Sequence, residues 1–341
     1  MKKYVISIAL AVIIVSTGKS QEVEYSFSDV YPISKPATLT VSSSDGDIDV
    51  STSNSDKINV NYSLERNNKP ITMTREELAN EGITIEAIHD NNSLQLSISY
   101  PNNYYRLNHT KRINVNLNIT VPVQTACNLK TSDGDMKVCK LEADLTCRTS
   151  DGRTNINDIK GNVTAKSSDG RINIKNITGN VAIIGSDARI TCSDIDGNFD
   201  VKSSDGGIFL GHINGNVNCK SSDGRIEISD SKGQFNIKSS DGGILFSNLT
   251  GSLNAISSDG GVKGNIVELK DHLNIKTSDG RIEITIPDTG LDLEASGNIG
   301  DVPKNNFSGE IEKRHIKGKV NGGGIPVNLA TSDGRINLAY K

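Results

Sequence analysis

The sequence predicts an all-β fold: a single-chain parallel β-solenoid of 18-residue coils, closed at its amino-terminal end by a β-rich cap with one short helix. Three observations carry this. A phrase of the form Ser/Thr-Ser/Thr-Asp-Gly returns at fixed spacing, apolar residues alternate with period two between the phrases, and glycine recurs in the middle of the repeats.

The aspartate of the phrase marks the register. Asp133, Asp151, Asp169, Asp187, Asp205, Asp223, Asp241 and Asp259 recur at one constant interval, and only Asp187 lacks its following glycine. Asp279 comes two positions late. The gap from there to Asp333 matches three periods, with degraded phrases at Ser296-Gly297-Asn298 and Gly322-Gly323-Gly324. An early copy, Ser44-Asp45-Gly46, lies near the amino terminus. Three and five residues after the aspartate the chain is apolar (Ile172 and Ile174, Ile226 and Ile228), as it is six and four residues before it (Val181 and Ile183, Phe235 and Ile237). Each repeat therefore reads as two short strands joined by two turns, one at the Asp-Gly phrase and one at Ile-x-Gly-Asn. A single repeat cannot bury its own apolar residues. Stacking places each strand about 4.8 Å from its counterpart in the next coil and closes a narrow shared interior. Helical repeats are excluded by the period-two spacing and the recurrent mid-repeat glycine.

Of the five cysteines, Cys127, Cys147, Cys192 and Cys219 fall in slots that other coils fill with Val, Ile, Leu or Ala, so buried thiols are expected there; Cys139 lies outside that set. The amino-terminal third departs from the repeat. Residues 36–63 read as two strands around the Asp45 turn, and Thr74-Arg75-Glu76-Glu77 is a capping box that opens a helix to about Asn80. Strands follow in Ile83–Ala87, Leu94–Tyr100 and Ile113–Val121. Residues 21–125 are accordingly expected to be a cap with the first coils, and 126–341 the regular solenoid.

Residues 1–20 have the pattern of a secretory signal peptide: two lysines, an apolar stretch from Tyr4 to Val15, then Gly18-Lys19-Ser20 before Gln21. Export to the periplasm, outer surface or medium is expected, with no integral membrane segment left after cleavage. A net charge of -4 and a pI near 5.8 give no basic footprint for nucleic acid.

The stretches LTVSSSDGDIDV at Leu39–Val50 and NVNLNITVPVQTACNLKTSDGDMKV at Asn114–Val138, with the tandem S-D-G-x-I coils after them, resemble the DUF4097 family of exported, adhesin-like bacterial proteins; the architecture is similar to that of the GIN-domain adhesin-like proteins. The resemblance spans essentially the whole chain after residue 20. It implies a secreted β-solenoid that contacts a protein or glycan of the cell envelope or a host surface, and it brings no catalytic motif.

The repeat aspartates Asp133, Asp151, Asp169, Asp205, Asp223, Asp241, Asp259, Asp279 and Asp333 read first as turn residues, with Asp and Ser hydrogen-bonding local backbone and Gly supplying a positive φ. Stacking would bring like charges together, and Arg171 or Arg225 after the glycine and Lys202 or Lys220 before the serine offer neutralising ladders. A calcium column is the sharper alternative. It is opposed by the single aspartate per coil, by serines in place of glycines and by flanking cations. A carbohydrate-active enzyme is the other alternative, and it predicts one coil with a cleft of carboxylates that do not repeat. His89, His109, His212, His272 and His315 are scattered, and no catalytic, metal or cofactor site is expected. The one local cluster that breaks the repeat is Tyr100, Tyr104, Tyr105, Arg106 and His109, a possible binding patch in a Pro-Asn-Asn loop.

Overall fold

The computed structural model describes residues 25–101 and 112–341, so residues 1–20, read above as a signal peptide, lie outside the described residues. Among the described residues strands dominate and there is one helix. No helix there is long and apolar enough to cross a membrane. The chain forms two compact units, Met1–Thr164 and Ala165–Lys341.

Regular coils make up most of the second unit. The strand Arg171–Thr178 pairs in parallel with Arg189–Asp196, which pairs with Ile208–Asn214, and Phe199–Lys202 pairs with Val217–Lys220. The register is Ile172 on Ile190 on Ile208, and Phe199 on Val217, one coil apart each time. Burial alternates along most of these strands, and the inward Ile, Val, Leu, Phe and Ala residues of both strands fill the interior. Cys192 and Cys219 occupy two of these slots, as Cys127 and Cys147 do in the first unit, and all five cysteines are free thiols. Cys139 is only half-buried. Burial pushes the Cys127 thiol up to about 12 and the other three buried thiols higher still.

Two further devices close the regular coils of the second unit. The residue seven after the aspartate sits in the left-handed region: Asn176 at φ 56°, Asp194 at 60°, His212 at 53°, Asp230 at 48° and Asn248 at 53°. Asn, Asp and His are the side chains that tolerate this conformation best. Further along, the asparagine of Ile-x-Gly-Asn forms a ladder, in which Asn198 N donates to Asn180 Oδ1 (3.0 Å) and Asn216 N to Asn198 Oδ1 (3.2 Å).

Both units contain an arrangement the sequence did not announce. The Asp333 coil lies directly on the Asp279 coil: Ser332 N donates to Ser278 O (2.9 Å), and the strand Ile325–Tyr340 pairs with Ile282–Ile286. The gap between those two aspartates therefore does not hold three successive coils, although the degraded phrase Ser296-Gly297-Asn298 does form a shortened corner in parallel register with the Asp333 coil. Instead Leu291–Ile299 pairs with the far side of Ile325–Tyr340, and His315–Val320 and Phe307–Ile311 continue outward as antiparallel strands. The first unit mirrors this. Ala37–Ser42 and Ile48–Ser53 lie between the coil that begins at Thr125 and an outer coil made of Ser93–Ser99 and Ile113–Pro122. Antiparallel strands follow, Thr84–Asp90 beside the first and Lys57–Arg66 then Phe27–Pro32 beside the second. The helix Arg75–Asn80 starts at its capping box, where Thr74 N donates to Glu77 Oε2 (2.7 Å) and Glu77 N to Thr74 Oγ1 (3.2 Å).

Candidate functional site

At the Asp-Gly corner the carboxylate is the exposed member and the flanking residues do the holding. In the coil of Asp205, the N–H groups of Ser204, Asp205 and Gly206 all point at the carbonyl of Ser186 one coil earlier, at 3.1, 3.0 and 3.3 Å. The hydroxyl of Ser203, two before the aspartate, donates to the same carbonyl at 3.1 Å. In the coil of Asp279 the corresponding hydroxyl is Thr277, which donates to Ser258 O (2.9 Å) and accepts from Gly280 N (3.0 Å). These serines and threonines are buried in coil after coil, for example Ser167, Ser221 and Thr277.

The glycine also differs from expectation. Only Gly46 of the Asp-Gly glycines has a positive φ, at 91°. The others are required by stacking, because a Cβ on Gly224 would overlap the carbonyl oxygen of Gly206, and one on Gly242 that of Gly224. The coil of Asp187 exchanges the two small residues: Gly185 stands where others have Ser or Thr, and the buried Ala188 stands where others have Gly. A Cβ on Gly185 would press on that of Ala188, so the two changes compensate each other.

Asp133 and Asp151 in the first unit, and Asp169, Asp205, Asp223, Asp241, Asp259, Asp279 and Asp333 in the second, are all exposed. Beside the aspartates of the second unit runs a column of exposed lysines in strand register, Lys202 on Lys220 on Lys238, with Lys276 further along. Among the described residues, no ion pair within 4.0 Å joins a repeat aspartate to a lysine or arginine. The arginines after the glycine turn elsewhere: Arg153 to Asp135 (3.1 Å), Arg225 to Glu227 (3.2 Å) and Arg281 to Glu283 (3.3 Å). Direct neutralisation of one ladder by the other is thus replaced by two exposed ladders of opposite sign. For Asp133, burial and then the charge of Asp151 raise the carboxyl above its ordinary value, against the opposing pull of Arg112. Among the described residues no group of three or more His, Cys, Asp or Glu side chains could hold a metal.

Of the non-repeating cluster, Tyr104, Tyr105, Arg106 and His109 lie outside the described residues. Tyr100 is half-buried and holds the Asp45 corner: its hydroxyl donates to Asp45 O (2.8 Å) and receives Val115 N (3.3 Å).

Spacing alone did not reveal a cleft of about 590 Å³ in the second unit, where the lengthened coil before Asp279 breaks the repeat. Gly264 occupies an inward slot that other coils fill with a large side chain, and the ring and carbonyl of Phe246 take its place. The wall is two outward columns, Leu245-Lys263-Glu283-Asn337 and Asn265-Thr285-Ala339, each in parallel register. Residues 300–301 border this wall alongside the final strand: Gly300 N donates to Ile336 O (2.8 Å), Asp301 N to Asn337 Oδ1 (3.2 Å), and Leu338 N to Asp301 O (2.8 Å). Asp301 is a carboxylate outside the repeat, as an enzymatic cleft would require, while Glu283 takes a coil slot that Glu227 also fills four residues after Asp223. Yet the hydrogen bond from Lys263 (3.1 Å) and that from Arg281 hold the Glu283 carboxyl below its ordinary value, the opposite of what a general acid needs.

No curated protein matches the chain significantly. A solved structure from Clostridium sporogenes ATCC 15579, described as a candidate cell adhesion protein, is 12% identical, with 92% of this chain and 99% of that one covered; its TM-score of 0.21 is too low to carry an argument. The family model of Toastrack DUF4097 matches residues 37–232 and 214–339. Those matches take in the Asp45 coil, the regular coils and the final strand, and the chain belongs to the Toastrack DUF4097 family.

Proposed function

We propose that this is a non-enzymatic exported protein that presents the ladder face of its coils to an extended component of the cell envelope or a host surface. The observation that carries the reading is the pair of exposed columns, lysines at 202, 220, 238 and 276 beside aspartates at 205, 223, 241 and 279, with no ion pair between them. Charged groups repeated at strand spacing meet a polymer many times, so weak individual contacts add through effective concentration. Export is supported by the lysines and apolar stretch of residues 1–20. The repeat aspartates act as corner residues whose side chains are free to face a partner. The test is an array of glycans and purified envelope polymers probed with the chain and with a Lys202→Gln, Lys220→Gln, Lys238→Gln variant. Salt-sensitive binding to a polymer, lost in the triple variant, is the expected result. A variant that binds equally well, or a chain that stays in the cytoplasm, would remove the reading.

A further inference from the structure

We infer that the cleft at the broken coil is a binding site for a short neutral saccharide, separate from the ladder face and independent of the function proposed for it. The argument starts from which polar groups in the cleft are already spent. Glu283 is engaged on both oxygens, by Lys263 (3.1 Å) and Arg281 (3.3 Å). Asn265 is committed to Asn248, donating from Nδ2 at 3.1 Å and accepting the Asn248 N–H at 3.4 Å. Asn337 Oδ1 receives Asp301 N.

What remains is a set of opposite types around one hollow. Asn337 keeps its amide donor, Lys263 keeps ammonium hydrogens beyond its one ion pair, Thr285 has a hydroxyl that can do either, and the exposed Asp301 carboxylate accepts. Leu245 and Ala339 add apolar surface on the same wall. A ligand that satisfies donors and acceptors a few ångströms apart, while laying C–H groups on an apolar patch, is a polyol ring. The volume of about 590 Å³ is within the range of small-molecule sites and suits one or two sugar rings.

Charge narrows the class. Lys263 and Arg281 are both paired with Glu283, which leaves the exposed Asp301 carboxylate as the uncompensated charge of the lining, and this disfavours a uronate or sulfated sugar. The site is also built before any ligand arrives. Gly264 and Phe246 fix its floor, strand pairing fixes its wall, and three hydrogen bonds hold residues 300–301 at its edge, so little ordering cost remains on binding. A hollow of about 510 Å³ in the first unit contrasts with it, because there Lys160 and Glu142 close on each other at 2.7 Å.

The test is calorimetric titration of the purified full chain with glucose, galactose, N-acetylglucosamine, cellobiose and chitobiose, with glucuronate as the anionic comparison. Saturable binding of at least one neutral sugar is expected, weaker for glucuronate. Asp301→Ala and Thr285→Val should each weaken it about fivefold or more, the loss of roughly one hydrogen bond. Both positions are on the surface of the cleft, so melting temperatures near that of the parent chain will show that the fold is kept. The Lys220→Gln change on the ladder face should leave sugar binding untouched, which separates failure of this site from failure of the ladder reading. Absence of saturation by any neutral sugar to about 20 mM overturns the inference. So does tighter binding of glucuronate, or binding that both cleft variants retain in full.

Discussion

At the scale of single residues, the Asp-Gly phrase divides its labour in a way its letters conceal. Its most conspicuous member, the aspartate, faces solvent, while the hydroxyl two residues earlier is buried and ties two coils together. Replacing Thr277 by Val strands the buried Gly280 N–H and should cost about 1–3 kcal/mol in urea unfolding. The neighbouring Asp279→Asn change should stay within about 0.5 kcal/mol, as expected for an exposed side chain away from buried networks. If the aspartate variant were the costly one, the corner would be held by the carboxylate after all. The ladder also has a pH signature. The folded Asp133 carboxyl lies above its ordinary 3.8, so the folded state takes up the proton more readily than the unfolded chain. The stabilising contribution of that group is complete below 3.8 and is lost as pH rises through the raised folded value. Asp133→Asn should therefore raise the melting temperature at pH 7 and have no effect near pH 3. A gain that persisted in acid would point to a cause other than charge.

At the scale of the element, the coil is where the sequence was most legible. Period-two alternation identified the inward slots, including the unusual cysteines at 192 and 219, because a strand in a stack has one buried face and each slot is seen again one coil later. The positive-φ position was legible only in retrospect: Asn176, Asp194, His212, Asp230 and Asn248 are all of the types that tolerate it, but the letter changes from each coil to the next. The corner glycine was assigned the wrong reason, since its need arises from the carbonyl of the coil beneath and not from its own φ. The left-handed position can be tested at His212, whose exposed side chain has one 3.8 Å contact, from Nδ1 to Asp194 Oδ1, that both of the following variants remove alike. His212→Val forces a β-branched residue to φ 53° and should cost about 1–2 kcal/mol, whereas His212→Gly should melt at or above the parent temperature. Equal melting of both variants would mean that the backbone there can relax out of the left-handed region.

At the scale of the whole molecule, what the sequence concealed was the order in which strands stack, because that order is fixed by pairing partners far apart in the chain. The strand Ile325–Tyr340 comes last in sequence yet lies between two neighbours, Ile282–Ile286 on one side and Leu291–Ile299 on the other. In the first unit Ala37–Ser53 is likewise enclosed, by strands of residues 93–122 and of 125–139. An open stack would offer a full row of unpaired backbone groups at its last coil, a template for aggregation. Here the terminal coil is instead sandwiched, and the strands beyond it turn antiparallel and end in the short Phe307–Ile311 edge. The arrangement makes a prediction about cooperativity. A chain ending at Gly324 loses both pairings of the inserted strand at once. Leu291–Ile299 then keeps only its antiparallel partner His315–Val320, itself paired with Phe307–Ile311, and this three-stranded remnant has lost the coil against which its apolar side chains were buried. Hydrogen exchange on this truncated chain should show amides of residues 291–299 losing nearly all protection, while those of Arg171–Thr178, several coils away and paired on their own neighbours, keep theirs. Retained protection across 291–299 would mean that the outer strands fold without the insertion, and that the final strand merely joins an end that is already closed.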